Sequence, residues 1–175
     1  MKKLIPLLLI LLISTALAVD MKGKIGMGVG WNSGIPGGGV FPNTAVTKLG
    51  LGERMILEPV FGFTLISESS GGSSEQTTHF FLMALFDYTF LSHEKTNIYG
   101  KAGLKFGFYN PPFGISTNEF GLPVGVGLEH FVSEHFSIDL NTISGLTFTS
   151  YEGGGSRTII SLNNQIFVLG LVWYY

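Results

Sequence analysis

The sequence has no cysteine, little charge and no helix-length apolar run in its body, and each lack narrows what the chain can be. Without cysteine there is no disulfide framework, no iron–sulfur cluster and no Cys-based zinc site. Charged residues make up 13%, against the ~25% usual for soluble domains. Ten Lys+Arg stand against 12 Asp+Glu with no basic patch, which excludes nucleic acid as a partner. Intrinsic disorder needs much charge and few aromatics; here 45% of residues are hydrophobic and 13% aromatic. Beyond the N-terminal segment no 18 consecutive apolar residues occur, so no transmembrane helix is expected. What is plentiful is glycine, 25 residues, and phenylalanine, 15, in a chain of 175 residues that suits one domain.

The start is a leader. Met1-Lys2-Lys3 is basic, Leu4 to Ile13 is apolar apart from Pro6, and Ala16-Leu17-Ala18 is a small-x-small cleavage site. Cleavage after Ala18 is expected, leaving residues 19–175 as an exported domain. The apolar run is too short to span a bilayer, and no cysteine follows for lipidation.

Over the rest of the chain the hydrophobic pattern has period 2, the signature of strands. Eight segments show it: 21–31, 44–51, 55–67, 78–90, 97–109, 119–130, 136–149 and 158–175. The last is blurred by Asn163, Asn164 and Gln165. Gly52–Arg54, Leu91–Thr96 and Phe131–His135 are short connections. Asn32–Asn43, Glu68–Thr77, Asn110–Asn118 and Ser150–Arg157 are longer and rich in turn formers. Short turns at one end and longer loops at the other are the pattern of an outer-membrane barrel. Pro59 and Pro123 fall inside strands, where each removes a ladder donor, so a bulge or local break is expected near each.

The charges fall on one face. Lys22, Lys24, Lys48, Glu58, Asp87, Lys101, Lys105, Glu119, Glu129 and Asp139, with His79, lie opposite the apolar face of their segments. A soluble barrel points its charges outward; a membrane barrel encloses them. Three features favour enclosure. Aromatics gather near segment ends (Trp31, Tyr88, Phe90, Phe108, Phe120, Phe136, Phe148, Trp173, Tyr175), like interfacial girdles. Glycines such as Gly26, Gly28, Gly103, Gly125 and Gly127 crowd the charged face, leaving room for long polar side chains in a narrow interior. The final segment is aromatic and alternates to the last residue.

Hairpin arithmetic pairs the charges. Turns centred on Glu53, Glu94 and Glu134 set Lys48 opposite Glu58, Asp87 opposite Lys101, and Glu129 opposite Asp139. Two carboxylates side by side in a low-dielectric lumen need a cation between them. Lys22 or Lys24, on the strand that closes against the last one, is the expected supplier. The ten charges are expected to form a network that plugs the lumen near the short turns. The plainer role, solvating the interior and fixing the register, is preferred to a proton or ion pathway.

These features together resemble the small outer-membrane β-barrel superfamily of the eight-stranded OmpA/OmpX-like type. The resemblance spans residues 19–175. It is carried by Lys24-Ile-Gly-Met-Gly-Val-Gly-Trp31, by Leu57-Glu58-Pro59-Val-Phe-Gly-Phe63, and by Leu122-Pro-Val-Gly-Val-Gly-Leu-Glu-His130 with Ser137-Ile-Asp-Leu140. Phe167, Leu169, Leu171, Trp173 and Tyr175 resemble the C-terminal signal read by barrel-insertion machinery, which commonly ends in Phe and here ends in Tyr. The resemblance implies an all-β, eight-stranded, antiparallel up-and-down transmembrane barrel. It also implies outer-membrane lipid and the insertion machinery as partners, and it leaves activity open.

Chemistry is sparse. A lipid A-modifying enzyme would need a Ser–His–acid constellation. His79, with Ser67, Ser69, Ser70 and Glu68 across its hairpin, is the candidate, set against a merely polar rim. His93, His130 and His135 sit at the short-turn end and have no metal-motif spacing. Gly37-Gly38-Gly39 and Gly153-Gly154-Gly155 lack the Lys-Ser/Thr and helix of a phosphate cradle. The longest loop offers Ile35, Val40 and Phe41 as contacts. Eight strands leave an interior that side chains can fill, so a porin-like conductance is not expected. The expectation is a monomeric, cofactor-free, non-enzymatic outer-membrane barrel of structural or interaction type. The alternatives are the lipid A-modifying enzyme and a soluble exported barrel carrying an apolar ligand.

Overall fold

A computed structural model describes residues 20–33, 42–70, 73–111, 114–152 and 154–175, with the side chains of 68–75 and 158–167 outside that description. The leader, the Gly37–Gly39 loop with Ile35, Val40 and Phe41, Gly153, and the side chains of Glu68, Ser69, Ser70 and Phe167 therefore lie outside the described residues.

Eight antiparallel strands follow one another round a closed barrel: β1 (Ile25–Asn32), β2 (Thr44–Gly50), β3 (Met55–Ser70), β4 (Ser73–His93), β5 (Thr96–Asn110), β6 (Thr117–Ser133), β7 (Phe136–Tyr151) and β8 (Ser156–Tyr174), which pairs back onto β1. Among the described residues no helix is long and apolar enough to cross a membrane. Alternation decides which face turns inward. On β3, Phe61, Phe63 and Leu65 are exposed while Glu58 and Val60 are buried. On β5, Leu104, Phe106 and Phe108 are exposed while Tyr99 and Lys101 are buried.

Strand limits lie within three residues of the period-2 segments except at the start of β1 and in the β3–β4 hairpin, and β8 departs from its pattern internally. β1 begins at Ile25 rather than Met21, because residues 20–24 turn under the barrel. Gly23 has φ 75, its amide donates to the Gly50 carbonyl (3.0 Å), and the Gly50 amide donates to the Lys24 carbonyl (2.9 Å). The β3–β4 hairpin stays paired through Ser67↔Gln76 to Ser70↔Ser73, so most of the stretch expected as loop is strand. The Asn163–Gln165 stretch, where the pattern blurred, is a register irregularity: β8 takes five steps between Ser161 and Ile166 while β7 takes two between Gly145 and Ile143.

Both prolines interrupt a ladder on one side only. Between β2 and β3, pairing lapses after Val46↔Val60 and resumes at Leu49↔Leu57, skipping Pro59. Between β5 and β6 it lapses between Ala102↔Val124 and Lys105↔Gly121, skipping Pro123. Register is unchanged across each gap, so these are local breaks and not bulges. The missing amide simply leaves its partner strand unbonded there.

The outer wall carries two aromatic bands. Phe61 packs on Phe80 with centroids 5.3 Å apart, and Phe106, Phe120 and Phe148 form a chain at 5.2 and 6.1 Å nearer the longer loops. Tyr88, Phe90, Trp173 and Tyr175 lie toward the short turns. The interior is layered. Met21, Ile56, Phe131, Val172 and Tyr174 close the short-turn mouth. A charged layer lies above them, and Val46, Val60, Phe81, Met83, Leu85, Ile143 and Val168 form an apolar layer above that.

Candidate functional site: the charged lumen

The inward face of β2 through β8 builds one connected polar layer. Lys48 on β2 is fully buried and places Nζ 2.9 Å from Asp139 Oδ2, 3.1 Å from Glu129 Oε2 and 3.6 Å from Glu58 Oε2. Lys101 on β5 lies 2.7 Å from Glu58 Oε2 and 3.2 Å from Asp87 Oδ2. Glu58 thus bridges both ammonium groups. Hydroxyl and amide donors reach two of the carboxylates, Glu129 and Asp139. Tyr174 and Ser137 each donate to Glu129 Oε1 at 2.6 Å, Tyr99 donates to Asp139, and Asn141 donates to Asp139 Oδ2 at 2.9 Å. Lys48 and Lys101 both approach the Tyr99 ring, at 5.1 and 4.9 Å from its centroid.

Placed residue by residue, the expected network divides. Asp87↔Lys101 and Glu129↔Asp139 are direct cross-strand partners, and Lys48 and Glu58 share the β2–β3 register and an ion pair. Lys105 and Glu119 pair at 2.9 Å in a separate, partly solvated position on the loop side of the apolar layer. Lys22 and Lys24 are not the cations between Glu129 and Asp139. Lys22 is exposed in the turn before β1, and Lys24 stands at the mouth with Nζ 5.9 Å from the Phe131 ring centroid. The cation is Lys48, reaching from β2 to β6 and β7 across a lumen narrow enough for one lysine to span. Hairpin arithmetic relates only adjacent strands, so it could not find this contact.

Tyr99, Tyr174, Ser137 and Asn141 also belong to the layer. Their signal was available: each sits on the inward parity of its strand. Glycine makes room for the large members. A Cβ on Gly127 would collide with the Tyr99 ring and Asn141, one on Gly62 with the Phe81 ring, and one on Gly26 would meet Tyr174 Cε1 at 2.7 Å.

The layer can hold charge, fix register and exclude water. Nothing in it pairs a nucleophile with a base aimed at open space. Among the described residues no group of three or more His, Asp or Glu is arranged to hold a metal. Of the Ser–His alternative, His79 points into the lumen between Phe81 and Tyr109 and Ser67 points outward, while the side chains of Glu68, Ser69 and Ser70 lie outside the described residues. The outward C-terminal residues Leu169, Trp173 and Tyr175 are exposed, with Leu171 half-buried among them.

Apolar side chains outside and ion pairs within define a class of fold, the closed eight-stranded antiparallel barrel with the inside-out distribution of membrane barrels. Among solved structures the chain is similar to the outer membrane protein OprG from Pseudomonas aeruginosa, at 10% identity and TM-score 0.58, over 91% of this chain and 99% of that one. It is also similar to Ail, the attachment invasion locus protein of Yersinia pestis, at 14% identity and TM-score 0.49, over 89% and 100%. At these identities the likeness is one of fold, and OprG carries it. No protein-family model and no curated protein matches the sequence.

Proposed function

We propose that this chain is an exported, integral outer-membrane protein of structural or interaction type, without catalysis, whose lumen is closed by its charged layer. One observation carries the proposal: Lys48 is 0% exposed inside the barrel, while Phe63 and Leu140 are 49% and 51% exposed on its wall. A soluble barrel carrying an apolar ligand would have the reverse distribution. Lipid-facing charge costs about 2–4 kcal/mol near the bilayer midplane, and the strands place none there.

On this proposal the leader is removed after Ala18. The short turns face the periplasm, and the alternating C-terminal segment ending at Tyr175 is what the insertion machinery recognises. The apolar layers on either side of the charged one support reading the chain as a closed, monomeric barrel and not as a pore. The test is fractionation of expressing cells with and without detergent, followed by gels of heated and unheated samples. The expected result is a membrane-bound product, starting at Val19, whose mobility changes on heating. A freely soluble product would overturn the proposal.

A further inference from the structure

The outer wall is not uniformly greasy or uniformly full. On the face formed by β4 to β7 it is indented by a groove of ≈ 540 Å³, mostly apolar but with Thr142 and Ser144 of β7 in its lining. Phe86, Tyr88 and Phe90 make its ridge, Gly100 and Ala102 its floor. Val124 and Val126 continue it on the next strand. A Cβ on Gly100 would meet nothing within 4 Å, so the hollow is real at atomic scale.

Past Ile98 and Leu128, toward the short turns, the wall beyond the groove becomes polar. Thr96 and His130 are cross-strand partners on β5 and β6, and His93 on β4 pairs with Thr96. Thr96 Oγ1 and His130 Nδ1 are 2.9 Å apart. The backbone of the turn residue Lys95 is held next to Thr96, its carbonyl accepting the Phe131 amide at 2.7 Å, and its exposed side chain is free to reach a headgroup. Glu94 lies 4.0 Å from His93. Thr96 is four residues from Gly100 and His130 four from Val126, about 13 Å at ~3.3 Å per residue. That is close to the ~15 Å depth of one leaflet of a ~30 Å hydrocarbon core.

We propose that this face retains one phospholipid of the leaflet at the short-turn side. One acyl chain lies along the groove over Gly100, and the phosphate sits beside Thr96, Lys95 and His130. The proposal rests on the membrane assignment made above. The groove alone would accept any hydrocarbon. The hydroxyl, the imidazoles and the lysine at its interfacial end select a chain that carries an anionic phosphodiester. A second barrel would bring its own apolar wall to this end and bury those polar groups unpaired.

The test uses the full folded chain in mild detergent, titrated with phosphatidylglycerol or with diacylglycerol of the same chains, and read by native mass spectrometry. One phosphatidylglycerol should bind per barrel, in preference to diacylglycerol. Gly100→Phe fills the hollow without touching the fold and should weaken binding about tenfold. The double variant Thr96→Val, His130→Ala should keep chain binding but lose the preference for the phosphate. Equal binding by Gly100→Phe, equal binding of the two lipids to the unaltered chain, or a dimer that Gly100→Phe disrupts would each overturn the proposal. Heat-modifiable mobility is measured on the same samples. A barrel that passes this control but binds no lipid sinks the lipid site alone, whereas a chain that never enters the membrane sinks the assignment beneath it.

Discussion

Lys48 on β2 and Asp139 on β7 meet at 2.9 Å from opposite sides of the barrel, both essentially without solvent exposure. This contact, with Glu129 3.1 Å from the same ammonium, explains how two adjacent carboxylates are tolerated in the lumen. Lys48→Met removes the shared cation and leaves both carboxylates buried without it. A loss of about 3–5 kcal/mol is expected, measured as the fall in urea midpoint for the barrel in lipid vesicles. Adding Glu129→Gln and Asp139→Asn should return most of that loss, since two of the three carboxylates that shared Lys48 are then neutral and the third, Glu58, keeps Lys101. No recovery would mean that Lys48 acts by packing.

The glycine opposite Tyr99 gives a second test. Gly127→Val forces a side chain into the Tyr99 ring and Asn141, and overpacking of this kind costs about 1–3 kcal/mol. Shortening Tyr99 to Leu in the Gly127→Val background should recover part of it. The pair should therefore show a coupling energy of about 0.5–3 kcal/mol in a double-mutant cycle. Additive losses would show that the two residues do not share one space.

Leu104 and Lys105 are neighbours on β5 with opposite fates. Leu104, midway along the strand, faces outward at 45% exposure. Lys105 faces the lumen in a partly solvated pair with Glu119. Leu104→Arg should destabilise the vesicle-embedded barrel by about 2–4 kcal/mol. Lys105→Leu should cost only about 0–1 kcal/mol, as for other solvated pairs. The opposite ranking would mean that the wall is turned the other way.

Trp31 and Trp173 are the only tryptophans in the chain, and Trp173 lies on the outer wall at 49% exposure, stacked near His135. Emission from the Trp31→Phe variant should be quenched by brominated acyl chains and barely by aqueous iodide. Strong iodide quenching without bromolipid quenching would place this residue in water.

The parts of this molecule legible in its sequence are those set by local alternation. Period 2 fixes the strands and their faces, and short turns fix the neighbours, so Asp87↔Lys101 and Glu129↔Asp139 follow from counting. What counting misses is contact between strands that do not touch in the sheet. Lys48 reaches Asp139 because a closed eight-stranded ring is narrow, a property of closure that no hairpin encodes. Lys24 was misplaced for a related reason: the Gly23 turn interrupts an alternating pattern that continues unbroken in the sequence. The strand beyond Ser67 is not legible in the sequence because its Ser, Glu, Gln and Thr residues carry no apolar–polar alternation. The backbone ladder alone sustains pairing there.

Met21 has a practical meaning for anyone handling this protein. Its side chain is stoppered into the short-turn mouth against Ile56, Phe131, Val172 and Tyr174, two residues from the expected new N terminus. The backbone of Gly50 lies so close to the Met21 carbonyl that a methyl group could not fit between them. An affinity handle fused directly ahead of Asp20 would drag on that stopper. Epitopes are better inserted between Ser70 and Ser73, at the end of the β3–β4 ladder opposite the short-turn mouth.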